Sequence, residues 1–185
     1  MIIGLTGKNC AGKGTVAEYL AKKGFVGYSL SDIIREELSK KKIEHSRENM
    51  ISLGNELRSK FGPGHIASKI NERINEHRKI TPHVNFVIDS IRSPFEVKEL
   101  QKNKEFVLVN VDAPTETRLK RMVARNRIGD AKTIIELKKQ EALENKKSET
   151  NQQVDETIKM ADLALVNDST FKELYKKIDR ELKRT

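Results

Sequence analysis

Met1-Ile2-Ile3-Gly4-Leu5-Thr6-Gly7-Lys8-Asn9-Cys10-Ala11-Gly12-Lys13-Gly14-Thr15 is the stretch that decides how this chain folds. The apolar run Met1 to Thr6 reads as a buried strand and Val16 to Lys23 as a helix. Gly7 to Thr15, which fits G-x-x-x-x-G-K followed by Gly-Thr, therefore lies between the two elements that a phosphate cradle needs. Glycines let the backbone wrap around anionic oxygens with successive N–H groups turned inward, and the helix N-terminus adds positive potential. In this pattern Lys13 reaches the terminal phosphates and Thr15 can ligate Mg²⁺. Gly7, Lys8, Asn9, Cys10, Ala11, Gly12, Lys13, Gly14 and Thr15 are thus the candidate cradle for a nucleoside triphosphate. The alternative, a strand-to-helix turn shaped by Gly7 and Gly12 alone, leaves Lys13 and Thr15 without a purpose.

Outward from this stretch, β-rich apolar runs recur at Ile2 to Thr6, Phe25 to Ser29, Val84 to Asp89, Glu105 to Val111 and Leu163 to Asn167, with helical patterns between them. Such alternation predicts an α/β fold: a five-stranded parallel sheet with helices on both faces, three layers in all. Ser93-Pro94-Phe95-Glu96 places a cap, a first-turn proline and a third-position glutamate in order, and Ser169 or Thr170 opens the final helix. Two intervals exceed a simple crossover. Residues 31–82 hold three helical stretches broken at Gly62-Pro63-Gly64, which predicts a helical insert. Residues 118–160 are charged, poor in large apolar side chains and interrupted at Arg127-Ile128-Gly129-Asp130, as expected of a mobile lid. The organisation predicted is one domain over residues 1–185, with a core of 1–30, 83–117 and 161–185, the insert at 31–82 and the lid at 118–160.

The 185 residues suffice for one domain with a proper core. Charged residues make up 34% and hydrophobic ones 36%, and no apolar run approaches the roughly 20 residues of a membrane span. The chain enters a core strand with no basic-then-apolar leader, and its single cysteine, Cys10, has no disulfide or metal partner. A cytoplasmic location is the expectation. The net charge of +9, from 36 Lys and Arg against 27 Asp and Glu, suits a polyanionic ligand. Its lysines are scattered over helix faces (Lys40 to Lys42, Lys138-Lys139, Lys146-Lys147, Lys176-Lys177), with only three tyrosines and six phenylalanines for base stacking. Nucleic acid is therefore expected to bind only nonspecifically, at low salt. His45, His65, His77 and His83 share no ligand spacing and are assigned no metal.

Phosphoryl transfer asks a protein to hold the triphosphate, Mg²⁺ and acceptor in line while cations absorb the moving charge. Ligands in open parallel sheets sit at the carboxyl ends of the strands, so charged residues there are the candidates. Asp89 closes the third apolar run and Arg92 follows three residues later: the carboxylate reaches the Mg²⁺ shell or merely caps the strand, and the arginine can grip an acceptor phosphate. Asp32 and Arg35 share a helix face at the second strand's exit, as ligand contacts or as a surface ion pair. Arg58, just before Phe61-Gly62-Pro63-Gly64, is a further acceptor-side candidate or a solvated side chain. Arg118, Arg121 and Arg125 fall on one face, with Arg127 following, and no compensating acid is evident nearby; they close over phosphates or are plain surface charge.

These motifs, in this order, resemble the nucleoside-monophosphate kinase superfamily. The Gly-Lys-Gly-Thr of the loop is like that of adenylate-kinase-type enzymes, and Ser31 to Arg35, Asp89 to Arg92, Arg118 to Arg127 and the late strand Ala161 to Asn167 extend the likeness over nearly the whole chain. Closer still, the chain is similar to small P-loop kinases related to adenylate and cytidylate kinases and to dephospho-CoA kinase. The resemblance implies ATP and Mg²⁺, an acceptor-binding helical insert and a lid. Lys13, Arg92, Arg121, Arg125, Arg127 and Asp32 would then be catalytic, Asp32, Arg35, Arg58 and Arg92 would face the acceptor, and Thr15 and Asp89 would serve the metal. Two departures stand out: Asp89-Ser90-Ile91-Arg92 replaces the usual Asp-Gly-Phe-Pro-Arg, and Gly129-Asp130 replaces the lid's frequent double acid. Asp32 also matches the acid that dephospho-CoA kinases offer to a hydroxyl. The expectation is transfer of the γ-phosphoryl of ATP to a small nucleotide-like acceptor by a monomer or dimer. A hydroxyl acceptor, or a P-loop ATPase with a regulatory or RNA-associated role, is the alternative.

Overall fold

The structure is a computed structural model, and it describes residues 1–127, 129–145 and 148–183. Ile128 of the expected lid break and the pair Lys146-Lys147 lie outside the described residues. Five strands, β1 (Ile2–Thr6), β2 (Val26–Ser29), β3 (Phe86–Asp89), β4 (Phe106–Asp112) and β5 (Leu163–Val166), form one sheet in the order β2-β3-β1-β4-β5. Every pairing is parallel, with Ile2 opposite both Phe86 and Phe106. The first strand thus lies in the middle, and the loop that leaves it opens at the centre of the sheet's carboxyl edge.

All five residues of β1 are buried, which is why it reads as a continuous apolar run rather than an alternating one. Successive side chains still point to opposite faces. Ile2, Phe86, Ile88 and Leu108 pack into one apolar layer, and Ile3, Leu5, Val87, Val109 and Val111 into the other. The first layer is closed by α2 (Leu30–Lys40), α3 (Arg47–Phe61), α4 (His65–Ile80) and α5 (Pro94–Leu100), through Ile33, Leu53, Ile66, Ile70 and Leu100 among others. The second is closed by α1 (Lys13–Lys22) and α9 (Phe171–Leu182), through Val16, Leu20, Leu174 and Ile178. Residues 31–82 therefore share one core with the sheet; the insert has no separate interior.

Helix α1 begins at Lys13, three residues before the sequence suggests. Gly12 sits in the left-handed region as its N-cap, and its carbonyl accepts from Val16 N at 3.1 Å, so the loop's last residues already form the first turn. Ser93 and Thr170 cap α5 and α9 as read, accepting from Phe95 N and Glu173 N. Glu96 departs from the usual reciprocal cap. Its carboxylate reaches past Ser93 to accept from Arg92 N at 2.8 Å, and it is fully buried.

The segment from α6 (Thr115–Arg125) through α7 (Ile134–Leu143) to α8 (Val154–Lys159) is packed more lightly. Its own apolar cluster is small, Met122, Ala131 and Leu137 with Cys10 and Leu119 against it, and Ile135 and Leu143 of α7 face solvent. Asn126 (φ 48°) ends α6 and Gly129 (φ 82°) follows, so the chain reverses where the sequence places a break. Among the described residues no helix is long and apolar enough to cross a membrane.

Candidate functional site

The loop after β1 takes its shape from two glycines. At Gly7 (φ 130°) a Cβ would lie 2.1 Å from the Val111 carbonyl oxygen, and at Gly12 (φ 110°) 2.1 Å from the Asn167 amide nitrogen. Gly14, at the start of α1, is exposed, and a Cβ there would meet nothing within 4 Å. Lys13 is buried, and its Nζ donates to the carbonyl oxygens of Gly7 at 2.7 Å and Lys8 at 3.0 Å. Burial, reinforced by the Arg92 guanidinium, lowers its pKa to about 8, against the opposing pull of Asp89 and Glu144. The ammonium is thus held inside the loop, poorly solvated and short of anionic partners. Cys10 is the reverse case: burial pushes its thiol above the usual range, so it is not an activated thiolate.

Arg121 braces the same loop from outside. It donates to the carbonyl oxygens of Cys10 (3.4 Å) and Ala11 (3.2 Å) and to the backbone and side-chain oxygens of Asn167 (3.1 and 3.3 Å), while the Asn167 amide donates to Ala11 at 2.8 Å. The arginine stripe is less bare than its sequence implies. Arg118 is buried against Glu141, donating also to the Ala113 carbonyl at 3.1 Å, and Arg125 grips Asp130 through two bonds of 2.9 and 2.6 Å. The expectation that no acid compensates the stripe is therefore corrected: Glu141, on the next helix, was hidden by sequence distance, and Asp130, in plain view five residues on, is turned back onto Arg125 by the chain reversal.

Asp89 lies half-buried at the end of β3, where its charge acts on Lys13 and its Oδ1 accepts from Ser90 N at 2.6 Å. Thr15 is half-buried in the first turn of α1. A hydroxyl and a carboxylate beside an open cradle are hard oxygen donors of the kind Mg²⁺ takes, so the residues present fit that ion.

Beside the cradle opens a cleft of about 620 Å³ between the insert and the α6–α7 segment. Arg35, Arg47, Arg58, Arg92, Arg125 and Arg127 all line it. The fold brings Arg35, Arg58 and Arg92 together with Arg125 and Arg127 around this one cleft. Asp32 is not among the lining residues; it is exposed and bonded to Arg35 at 2.6 Å. Arg58 is deeply buried, with its guanidinium 2.8 Å from the Glu96 carboxylate. Four residues of the site were not assigned to it from the sequence: Arg47, Glu96, Glu144 and Asn167. Glu96 had a signal in its place in the α5 cap and Asn167 in its place at the end of the last strand; Arg47 and Glu144 had none.

A parallel five-stranded sheet, a glycine loop running from the central strand into a helix, and an arginine-lined cleft at the carboxyl edge define a P-loop kinase fold. A family model described as an AAA domain matches residues 3–152. A UPF0200 protein of Pyrococcus abyssi is 35% identical over 182 residues, covering 97% of this chain and 94% of that protein. The chain belongs to this AAA-domain family and is a relative of the UPF0200 proteins. Among solved structures it is similar to TT1252 from Thermus thermophilus (TM-score 0.65, 20% identity, 100% of this chain and 97% of that one). It is also similar to dephospho-CoA kinase from Campylobacter jejuni (TM-score 0.53, 16% identity, 99% of this chain and 96% of that one).

Proposed function

We propose that the protein is an ATP- and Mg²⁺-dependent phosphotransferase that moves the γ-phosphoryl group onto a small nucleotide-like acceptor, a nucleoside or deoxynucleoside monophosphate. The observation that carries this reading is the continuity of the phosphate cradle with a cleft lined by six arginines. A cleft of that volume takes a nucleotide-sized molecule, and guanidinium groups match phosphate oxygens in geometry as well as charge.

Lys13 would hold the terminal phosphates, the anion offsetting the desolvation of its buried ammonium. Mg²⁺, held through Thr15 and Asp89, would supply charge neutralisation on the phosphate oxygens. Arg92 faces the acceptor side of the loop, and Arg125 and Arg127 close the cleft opposite, so that water is kept from the transferring group. Arg35 and Arg58 line the acceptor end, while Asp32 orients Arg35. Arg121 acts at one remove by fixing the backbone of Cys10 and Ala11. A second reading, transfer to a hydroxyl, is favoured by the likeness to dephospho-CoA kinase.

One experiment separates them: ATP and Mg²⁺ with a panel of ribo- and deoxynucleoside monophosphates plus dephospho-CoA, scored by product mass. A phosphorylated monophosphate is the expected result, and product from dephospho-CoA alone would establish the second reading. Lys13→Ala is expected to abolish transfer while the protein stays folded; unchanged turnover would overturn both. No product from any acceptor, with RNA-stimulated hydrolysis of ATP, would point to a regulatory ATPase instead.

A further inference from the structure

Glu144, at the C-terminal end of α7, is a nearly buried carboxylate facing donors from three separate parts of the chain. Asn9 of the phosphate loop donates to it at 2.9 and 3.2 Å, and Arg47 at the start of α3 at 2.6 Å. Arg92 after β3 stands 3.5 Å away. Asn9 also accepts from Arg92 Nη2 at 3.0 Å, so the amide ties the arginine and the carboxylate together. Glu144 lines the arginine cleft, and its charge reaches Lys13. The protein thus places its own anion beside the cradle, among groups suited to a phosphate.

We propose that Asn9, Arg47 and Arg92 form the binding site for the acceptor's phosphomonoester group, and that Glu144 is its internal competitor. This rests on the phosphotransferase reading and gives it a selection rule. An acceptor must bring an anion strong enough to displace the carboxylate, so phosphorylated acceptors are admitted and neutral ones are not.

Two observations separate a displaceable competitor from a permanent tether. Arg92 Nη1 is buried and within ion-pair distance of Glu144, yet it has no hydrogen-bond acceptor among the described residues. Arg47 and the shorter Asn9 bond both draw on Oε1, which leaves Oε2 3.5 Å from Arg92 Nη1; a phosphomonoester, with three terminal oxygens spread about phosphorus, can serve Asn9, Arg47 and Arg92 together. The support of Glu144 is also light. Leu137 is the one buried residue of α7, with Ile135 and Leu143 exposed, so its last turn is held by the ion pairs of Glu141 and Glu144 and can move without opening an apolar core.

The test uses inorganic phosphate as probe, with the cradle first filled by Mg²⁺ and a non-hydrolysable ATP analogue, each binding step followed by calorimetry. Glu144→Gln, which keeps an oxygen acceptor for Asn9 but removes the competing charge, is expected to bind phosphate at least tenfold more tightly than the wild type. Adding Arg47→Ala to that variant is expected to abolish the gain. Equal or weaker phosphate binding by Glu144→Gln overturns the inference while leaving the phosphotransferase reading intact. Failure of the ATP analogue to bind overturns both. Should Glu144→Gln misfold, hydrogen exchange on the analogue-bound wild type decides: phosphate is expected to speed exchange in the last turn of α7, and unchanged or slower exchange overturns displacement.

Discussion

Lys13 carries the sharpest prediction at the scale of single residues. Its side chain is buried in the loop, which lowers the ammonium's pKa from 10.5 to about 8. In the unfolded chain the ordinary value returns, so between pH 8 and 10.5 the unfolded state holds the extra proton and stability from this group rises with pH. At 1.36 kcal/mol per unit, the charged form is disfavoured in the fold by on the order of 3 kcal/mol. The stability difference between wild type and Lys13→Met should therefore shift in favour of the wild type as pH rises from 8 to 10.5. Denaturant midpoints across that range measure it, and a constant difference would contradict the burial argument. Binding has the opposite sign. A triphosphate needs the charged lysine, so affinity should fall by up to about tenfold per pH unit above 8, with proton uptake on binding near pH 8. Calorimetry in buffers of different ionisation enthalpy reads that uptake. Lys13 itself was legible from its motif; its depressed pKa was not, because it comes first from the wall of chain folded over it and then from Arg92.

Among the elements, α3 and α5 are joined by the buried pair of Arg58 and Glu96, with both side chains almost wholly removed from water. Glu96 also fixes the turn that presents Arg92, through the Arg92 amide. Removing one partner of such a pair leaves an uncompensated charge, so Glu96→Ala should lose roughly 3–5 kcal/mol, whereas replacing both with methionine should recover most of it. Chemical denaturation of the single and double variants checks this, and an equal loss in both would show that the turn rather than the charge pair matters. The sequence marks α5 clearly, since Ser93, Pro94 and Glu96 stand in the order a helix start requires. It gives no sign that Glu96 turns toward a residue 38 positions earlier. Helix caps are local and so can be read; buried ion pairs join elements and cannot.

For the whole molecule, the question is how the α6–α8 segment meets the rest. It is held to the loop and the insert largely by polar contacts: Glu141 with Lys8, and Glu144 with Asn9, Arg47 and Arg92. Ionic contacts over a small apolar cluster open more readily than a packed core. Amides of α7 should exchange quickly in the free protein and slow when nucleotide and Mg²⁺ fill the cradle, before acceptor is added. Equal protection in both states would remove the lid assignment.

What the sequence determined alone was everything written locally. The five strands, the glycine loop, the helix caps and the breaks at Gly62-Pro63-Gly64 and after Asn126 follow from hydrophobic period and backbone preference, which neighbouring residues suffice to set. Tertiary structure alone decided which charges meet. Glu141 neutralises Arg118 from 23 residues away, and Glu144 reaches Asn9 across 135. Electrostatic energy depends on distance in space and on desolvation, and neither exists until the sheet has drawn its loops to one edge.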